Sequence, residues 1–379
     1  MKRLDDILLE PDLIFDGAEL RSDCFLSVSA HQKCQLIPKS QSSPSAKITP
    51  LRGIVAPGFI DLQVNGGGGV LFNETPDLKG IKRILEAHRS LGTTAIMPTV
   101  ITDRPEVLEQ AVETAIAAKD EQGVLGLHIE GPHISPERRG THALSYVRPF
   151  DPATLAHIKS LRDADVTVMI TVAPEIVPAK TIAQMVEMGA IVSLGHSNAT
   201  AEIAKNALEH GAQAFTHLHN AMPPMMNRAP GIVAAALNSD AYTGLIGDGY
   251  HVDDEMIKLT LNARPKADRV FIVSDAMPTL AGPPEFTLYG QKVALKDGRL
   301  LNSEGGLAGA HISMSQTVQR FVNALDIDPV PVLKMASTVP ACLIERTELS
   351  EIEGLDAGQV IVLKENFSFN QLLTEFLTA

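Results

Sequence analysis

Residues 124–133 read VLGLHIEGPH. The stretch begins as an apolar strand without helical spacing and ends on His128, Glu130 and a Gly-Pro turn. A hydrophobic run that delivers a carboxylate to its tip is a rigid mount for a polar group. Its use depends on whether other strands do the same.

They do. From IVAPGFIDLQVNG onward, apolar strands alternate with amphipathic stretches, and eight strands are expected at 60–66, 93–100, 124–131, 166–175, 191–197, 214–220, 243–249 and 270–276. The segments between them, such as DLKGIKRILEAHRSLG, PEVLEQAVETAIAAKDEQG and ATAEIAKNALEHG, carry a helical period and close on glycine, where a helix C-cap falls. Eight β-α units predict an α/β fold of (β/α)8 TIM-barrel type. Residues 1–55 (LIFDGAEL, CFLSVSA, KCQLIP, then the polar KSQSSPSAK) and the last part of the chain, from MASTVPACLIE through DAGQVIVLKENFSF, read as short strands and turns. The expected organisation is a barrel over 56–340 and a small β-sandwich domain built from 1–55 and 341–379.

Composition narrows the function. With 45% hydrophobic residues in 379, the chain can bury a large core, while the absence of tryptophan and a net charge of -13 exclude a nucleic-acid groove. No apolar run is long enough to span a bilayer, and the acid-containing N-terminus MKRLDDILLEPDLIF is no signal peptide, so neither membrane nor export is expected and the location is cytoplasmic. Cys24, Cys34 and Cys342 have no metal-type spacing and are read as inert thiols.

In a β/α barrel the chemistry sits at the C-terminal strand ends, and here the polar residues gather there. The ends carry Gln63-Val64-Asn65, His128-Ile129-Glu130, Gly195-His196-Ser197-Asn198, His217-Leu218-His219-Asn220, Asp248-Gly249-Tyr250-His251 and Ser274-Asp275-Ala276. Glu130, His196 and His217 supply one carboxylate and two imidazoles, a set that suits one catalytic Zn2+ with an open position. His217 and His219 share a strand face, so period alone does not choose between them, and His128 lies one layer deeper than Glu130. Asp275, costly to bury unpaired, is the candidate proton carrier for a metal-activated water.

The stretches PGFIDLQVNGGGG, GLHIEGPHISPERRGTHA, TVAPE, SLGHSNAT, THLHNAMPPMMNRAPG, GDGYHVD, VSDAM and GGLAGAHISM occur in this order from about residue 53 to about residue 315. Together they resemble the amidohydrolase superfamily and, within it, the family of N-acetylglucosamine-6-phosphate deacetylases. The resemblance implies metal ligands at Glu130, His196 and His217 and a general base and acid at Asp275. It further implies a sugar-phosphate turn at Asn220 and Ala221, phosphate-binding side chains at Arg228 and His251, and a substrate contact near the scissile amide at His142. Leu307 and Ala308 fall where the family's lid closes, and Gln63 is counted with the substrate contacts. Gln63 and Asn65 replace the His-x-His that holds a second metal in many superfamily members, so one divalent ion is expected. The implied reaction is hydrolysis of the acetyl group of N-acetylglucosamine 6-phosphate by a homodimer whose partner is a small sugar phosphate.

The other readings are the same reaction on N-acetylgalactosamine 6-phosphate and a barrel that binds sugar phosphate without turnover. Cyclic-amide hydrolysis is disfavoured, because TVAPE brings no lysine to the tip of strand four.

Overall fold

The computed structural model describes residues 7–41 and 47–378. Part of KSQSSPSAK and the first six residues of the N-terminal stretch lie outside the described residues. The chain divides into two compact units, one drawn from both chain ends with residues 89–95, the other from residues 61–88 and 96–313.

The barrel strands are β1 (Phe59–Val64), β2 (Thr93–Ile101), β3 (Leu127–Glu130), β4 (Val168–Val172), β5 (Ile191–Leu194), β6 (Ala214–Phe215), β7 (Tyr242–Leu245) and β8 (Val270–Ile272). They follow one another in sequence order around one eight-stranded sheet. Pairing from β2 through β8 is parallel throughout. The ring closes beyond the strand ends: Asp275 N donates to Gln63 O at 3.1 Å, Asn65 N donates to Ala276 O at 3.0 Å, and Val64 bridges Ala276. Nearly all strand residues are buried, as expected where both faces are covered.

Every strand is followed along the chain by a helix. Leu78–Arg89 turns Ile81, Ile84, Leu85 and His88 inward at three- and four-residue spacing. Ala201–Glu209 starts on Thr200, whose hydroxyl accepts from Ile203 N, and Asp254–Ala263 starts on Asp253, whose carboxylate accepts from Glu255 N.

Seven of the eight strands are shorter at their C-terminal ends than the sequence predicts. The chain leaves extended geometry where the polar residues begin: His196, His217 and Asp275 all have positive φ, at 47°, 29° and 49°. An insertion not foreseen in the sequence follows β8, a three-stranded antiparallel sheet of Glu285–Leu288, Gln291–Lys296 and Arg299–Leu301. Its apolar face packs Leu288, Val293 and Leu300 with Leu71, Ile101 and Met277. The Asp297-Gly298 turn was the legible signal for it.

The unit from the chain ends is a β-rich domain. Ile7–Phe15 pairs parallel with Ile48–Pro57, and Val360–Leu363 pairs antiparallel with the same strand, so the last strands of the chain complete a sheet begun by the first. Alternate residues Cys24, Leu26 and Val28, with Leu51, Val55, Val360 and Val362, converge on one core beside a single seven-stranded sheet, where two layers were expected. MASTVPACLIE departs from the strand-and-turn expectation. Pro329–Ala336 and Thr338–Leu343 are helices. Pro340 sits in the first turn of the second, where no backbone N–H is needed, and Ala341 and Leu343 are buried. Cys24 and Cys34 are buried and Cys342 is at the surface. Among the described residues no helix is long and apolar enough to cross a membrane.

Candidate metal centre

β3, β5 and β6 bring three donor atoms to one point. Glu130 Oε1 lies 3.0 Å from His196 Nε2 and 3.1 Å from His217 Nε2, and the two imidazole nitrogens are 3.0 Å apart. All three side chains are nearly buried. His196 Nδ1 faces the carbonyl oxygen of Arg138 at 2.9 Å, which can only accept, so Nδ1 carries the proton and Nε2 turns its lone pair to the centre.

A carboxylate oxygen and two imidazole nitrogens packed this closely need a positive charge between them. Adjacent donors of a tetrahedral ion with bonds of about 2.05 Å are roughly 3.3 Å apart, so the triangle fits such an ion with little adjustment. A proton is the competing occupant. Burial pushes Glu130 upward, but hydrogen bonds and charge from His196 and His217 more than reverse this and hold it well below the usual carboxylate range. Burial pulls His217 down, and Glu130 outweighs it, so that ring stands above its ordinary value.

His142 offers a second possible donor, since Glu130, His142 and His196 place ligand atoms within 4.8 Å of one another. Its ring lies 4.4 Å from that of His196, and its Nδ1 is 2.8 Å from Thr102 Oγ1. His217 is the better third ligand, because its Nε2 stands within 3.1 Å of both other tips. Burial, then the charge of His196, pushes His142 down to about 3, so it is a neutral imidazole in the wall.

Asp275 lines the same cavity. Its Oδ1 accepts from Asn65 Nδ2 at 2.6 Å and Gln63 Nε2 at 3.3 Å, which leaves Oδ2 open. Burial, then the charge of Glu130, pushes it up to about 6. Gln63 also donates to Glu130 Oε1 at 3.1 Å, so one amide ties the two carboxylates together.

A cavity of about 160 Å³ lies over these groups. Glu130, His142, His196, His217 and Asp275 line it together with Asn220, Ala221, His251 and Leu307. A larger cleft of about 760 Å³ shares its Gly140, Thr141 and His142 wall. Two expected substrate contacts are not in the cavity lining. Gln63 is buried behind the carboxylates, and Arg228 is exposed on the loop after β6. His219 turns away to Thr260 Oγ1 at 2.7 Å, which settles the choice the strand period left open. His128 is fully buried one layer down, between Leu62 O at 3.0 Å and Thr171 Oγ1 at 2.7 Å.

The sequence reading missed Thr102 and named Asp248 at a strand end without giving it a role. Thr102 Oγ1 contacts His142 Nδ1 and, at 3.2 Å, Glu130 O. A Cβ on Gly131 would come within 2.2 Å of that hydroxyl, so the glycine of the Gly-Pro turn makes room for it. The available signal was the polar end of β2, Thr102-Asp103. Asp248 bonds His251, and the i,i+3 spacing of the two was the signal.

Comparison with known proteins agrees with this geometry. Residues 54–368 match the model of the amidohydrolase family. The chain is 38% identical over 367 residues to an N-acetylgalactosamine-6-phosphate deacetylase of Shewanella sp., covering 92% of this chain and 91% of that one. It is 36% identical over 313 residues to the N-acetylglucosamine-6-phosphate deacetylase of Haemophilus influenzae, covering 81% of each. The crystal structure of N-acetylglucosamine-6-phosphate deacetylase from Pasteurella multocida superposes with a TM-score of 0.89 at 35% identity, over 96% of this chain and 97% of that one. With its strand-tip cluster and these relatives, the chain belongs to the amidohydrolase family and to its branch of amino-sugar-phosphate deacetylases.

Proposed function

We propose that this protein hydrolyses the acetamido group of N-acetylglucosamine 6-phosphate to glucosamine 6-phosphate and acetate. The observation that carries the reading is the convergence of Glu130, His196 and His217 within 3.1 Å opposite Asp275. Two nitrogens and one carboxylate oxygen suit Zn2+, and these residues would hold a single ion. When bound, a divalent cation polarises the amide carbonyl and lowers the pKa of water toward about 7.

Asp275 does the proton work. Its Oδ1 is engaged by two amides, so Oδ2 takes the proton of the attacking water and returns it to the departing nitrogen as the C–N bond breaks. Acetate and a protonatable amine leave. His142, neutral and seated on Thr102, contacts the substrate beside the scissile amide. Asn220, Ala221 and His251 receive the phosphate end, and Leu307 covers the sugar. Arg228 reaches phosphate from the exposed loop. The reading carries a cytoplasmic homodimer as its cellular form.

The test is acetate release from N-acetylglucosamine 6-phosphate and N-acetylgalactosamine 6-phosphate by wild type and Asp275→Asn. Wild type is expected to turn over the glucosamine epimer, and the variant to lose on the order of 10³-fold in kcat. Equal rates for both proteins remove Asp275 from the chemistry, and a wild type inert on both sugars removes the function.

A further inference from the structure

The Asp248 carboxylate commits both oxygens to one short turn. Oδ1 accepts the backbone N–H groups of Tyr250 and His251, each at 2.8 Å, and Oδ2 lies 2.7 Å from His251 Nδ1. The two side chains are 6% and 8% exposed, so solvent does little to screen them. A carboxylate accepts only, which puts a proton on Nδ1 and fixes the ring plane.

His251 also lines the cavity beside Asn220 and Ala221. If it is to donate to an anion there, Nε2 must carry a second proton, and the ring is then an imidazolium. Asp248 faces the ring at Nδ1, and Asp275 lines the same cavity. Without the Nε2 proton the ring would present a lone pair to a phosphate oxygen, a repulsive contact.

We propose that Asp248 is a positioning residue that makes the site select phosphorylated amino sugars, by holding His251 doubly protonated with Nε2–H directed at the phosphate. The inference rests on the sugar-phosphate reading above. A bare charge count predicts the opposite. Asp248 is an anion beside an anion site in a chain of net charge -13, so on that count its removal tightens phosphate binding.

The two accounts separate with Asp248→Asn and His251→Ala, singly and combined. Each is assayed on N-acetylglucosamine 6-phosphate, with inorganic phosphate as calorimetric ligand. Asp248→Asn is expected to raise KM and the phosphate Kd about 10-fold or more, with kcat within about threefold. In the His251→Ala background it should add nothing, because its effect passes through that ring. Unchanged or tighter phosphate binding overturns the proposal, as does an Asp248→Asn effect that persists in full without His251. Should Asp248→Asn fail to fold, 15N spectra of the wild-type His251 ring, assigned with His251→Ala and saturated with phosphate near neutral pH, decide the matter. Two ring protons support the proposal and one overturns it. A wild type that binds phosphate but releases no acetate would refute the deacetylase reading and leave the pair to be judged by binding alone; one that binds no phosphate refutes both.

Discussion

The two ends of the cavity are built differently. At the metal end, three donors from three strand tips meet within 3.1 Å, all buried. At the end proposed to take the phosphate the groups ride on loops: His251 is pinned by Asp248, whereas Arg228 is exposed and outside the cavity lining. Left-handed backbone at His196, His217 and Asp275 costs about 1–3 kcal/mol at each site, and the barrel strands that end there hold it in place. Groups that must meet at bonding distance therefore sit where the sheet fixes them. A diffuse, doubly charged phosphate tolerates a looser mount.

This contrast predicts all-or-none effects at one end and graded effects at the other. The largest belongs to His217→Ala, which should lower kcat on the order of 10³-fold or more with loss of bound metal. Retention of more than a tenth of the activity would break the contrast. On the helix Leu78–Arg89, buried His88 should make stability depend on pH. Burial lowers its pKa to about 4, so its contribution is present above the unfolded value of 6.5 and is lost as pH falls toward 4, by roughly 3 kcal/mol. Denaturant unfolding of wild type and His88→Gln between pH 7 and 4 would show it, the variant having the flatter profile. Gly131→Ala comes next. Its Cβ would displace the Thr102 hydroxyl and with it His142, so kcat should fall about 10²-fold while metal content stays constant. The smallest effect is expected for Arg228→Ala, a rise in KM of roughly threefold to tenfold with kcat unchanged. A kcat defect there would place Arg228 in the chemistry and erase the distinction between the ends.

The same division governs what the sequence discloses. Barrel strands are visible as apolar runs, and Glu130, His196, His217 and Asp275 stand out because each closes such a run with a polar residue. Strand ends are misplaced because the polar residues have already left extended geometry, which also explains why alternation does not choose between His217 and His219. Gln63 is counted with the substrate contacts; its amide joins Glu130 to Asp275, a relation between strands three and eight that no local pattern encodes. Thr102 is hidden for the same reason, since its importance comes from the missing side chain at Gly131. Thr338–Leu343 misleads in the opposite way, through Thr and Val that suit a strand and yet start a helix whose first turn accepts Pro340.

The most direct measurement is the metal content of the purified chain by mass spectrometry, for wild type and for Glu130→Gln, His196→Asn and His217→Asn. One divalent ion per wild-type chain, lost in each variant alongside acetate release, is the predicted result. Stoichiometric metal that survives all three substitutions would contradict the account.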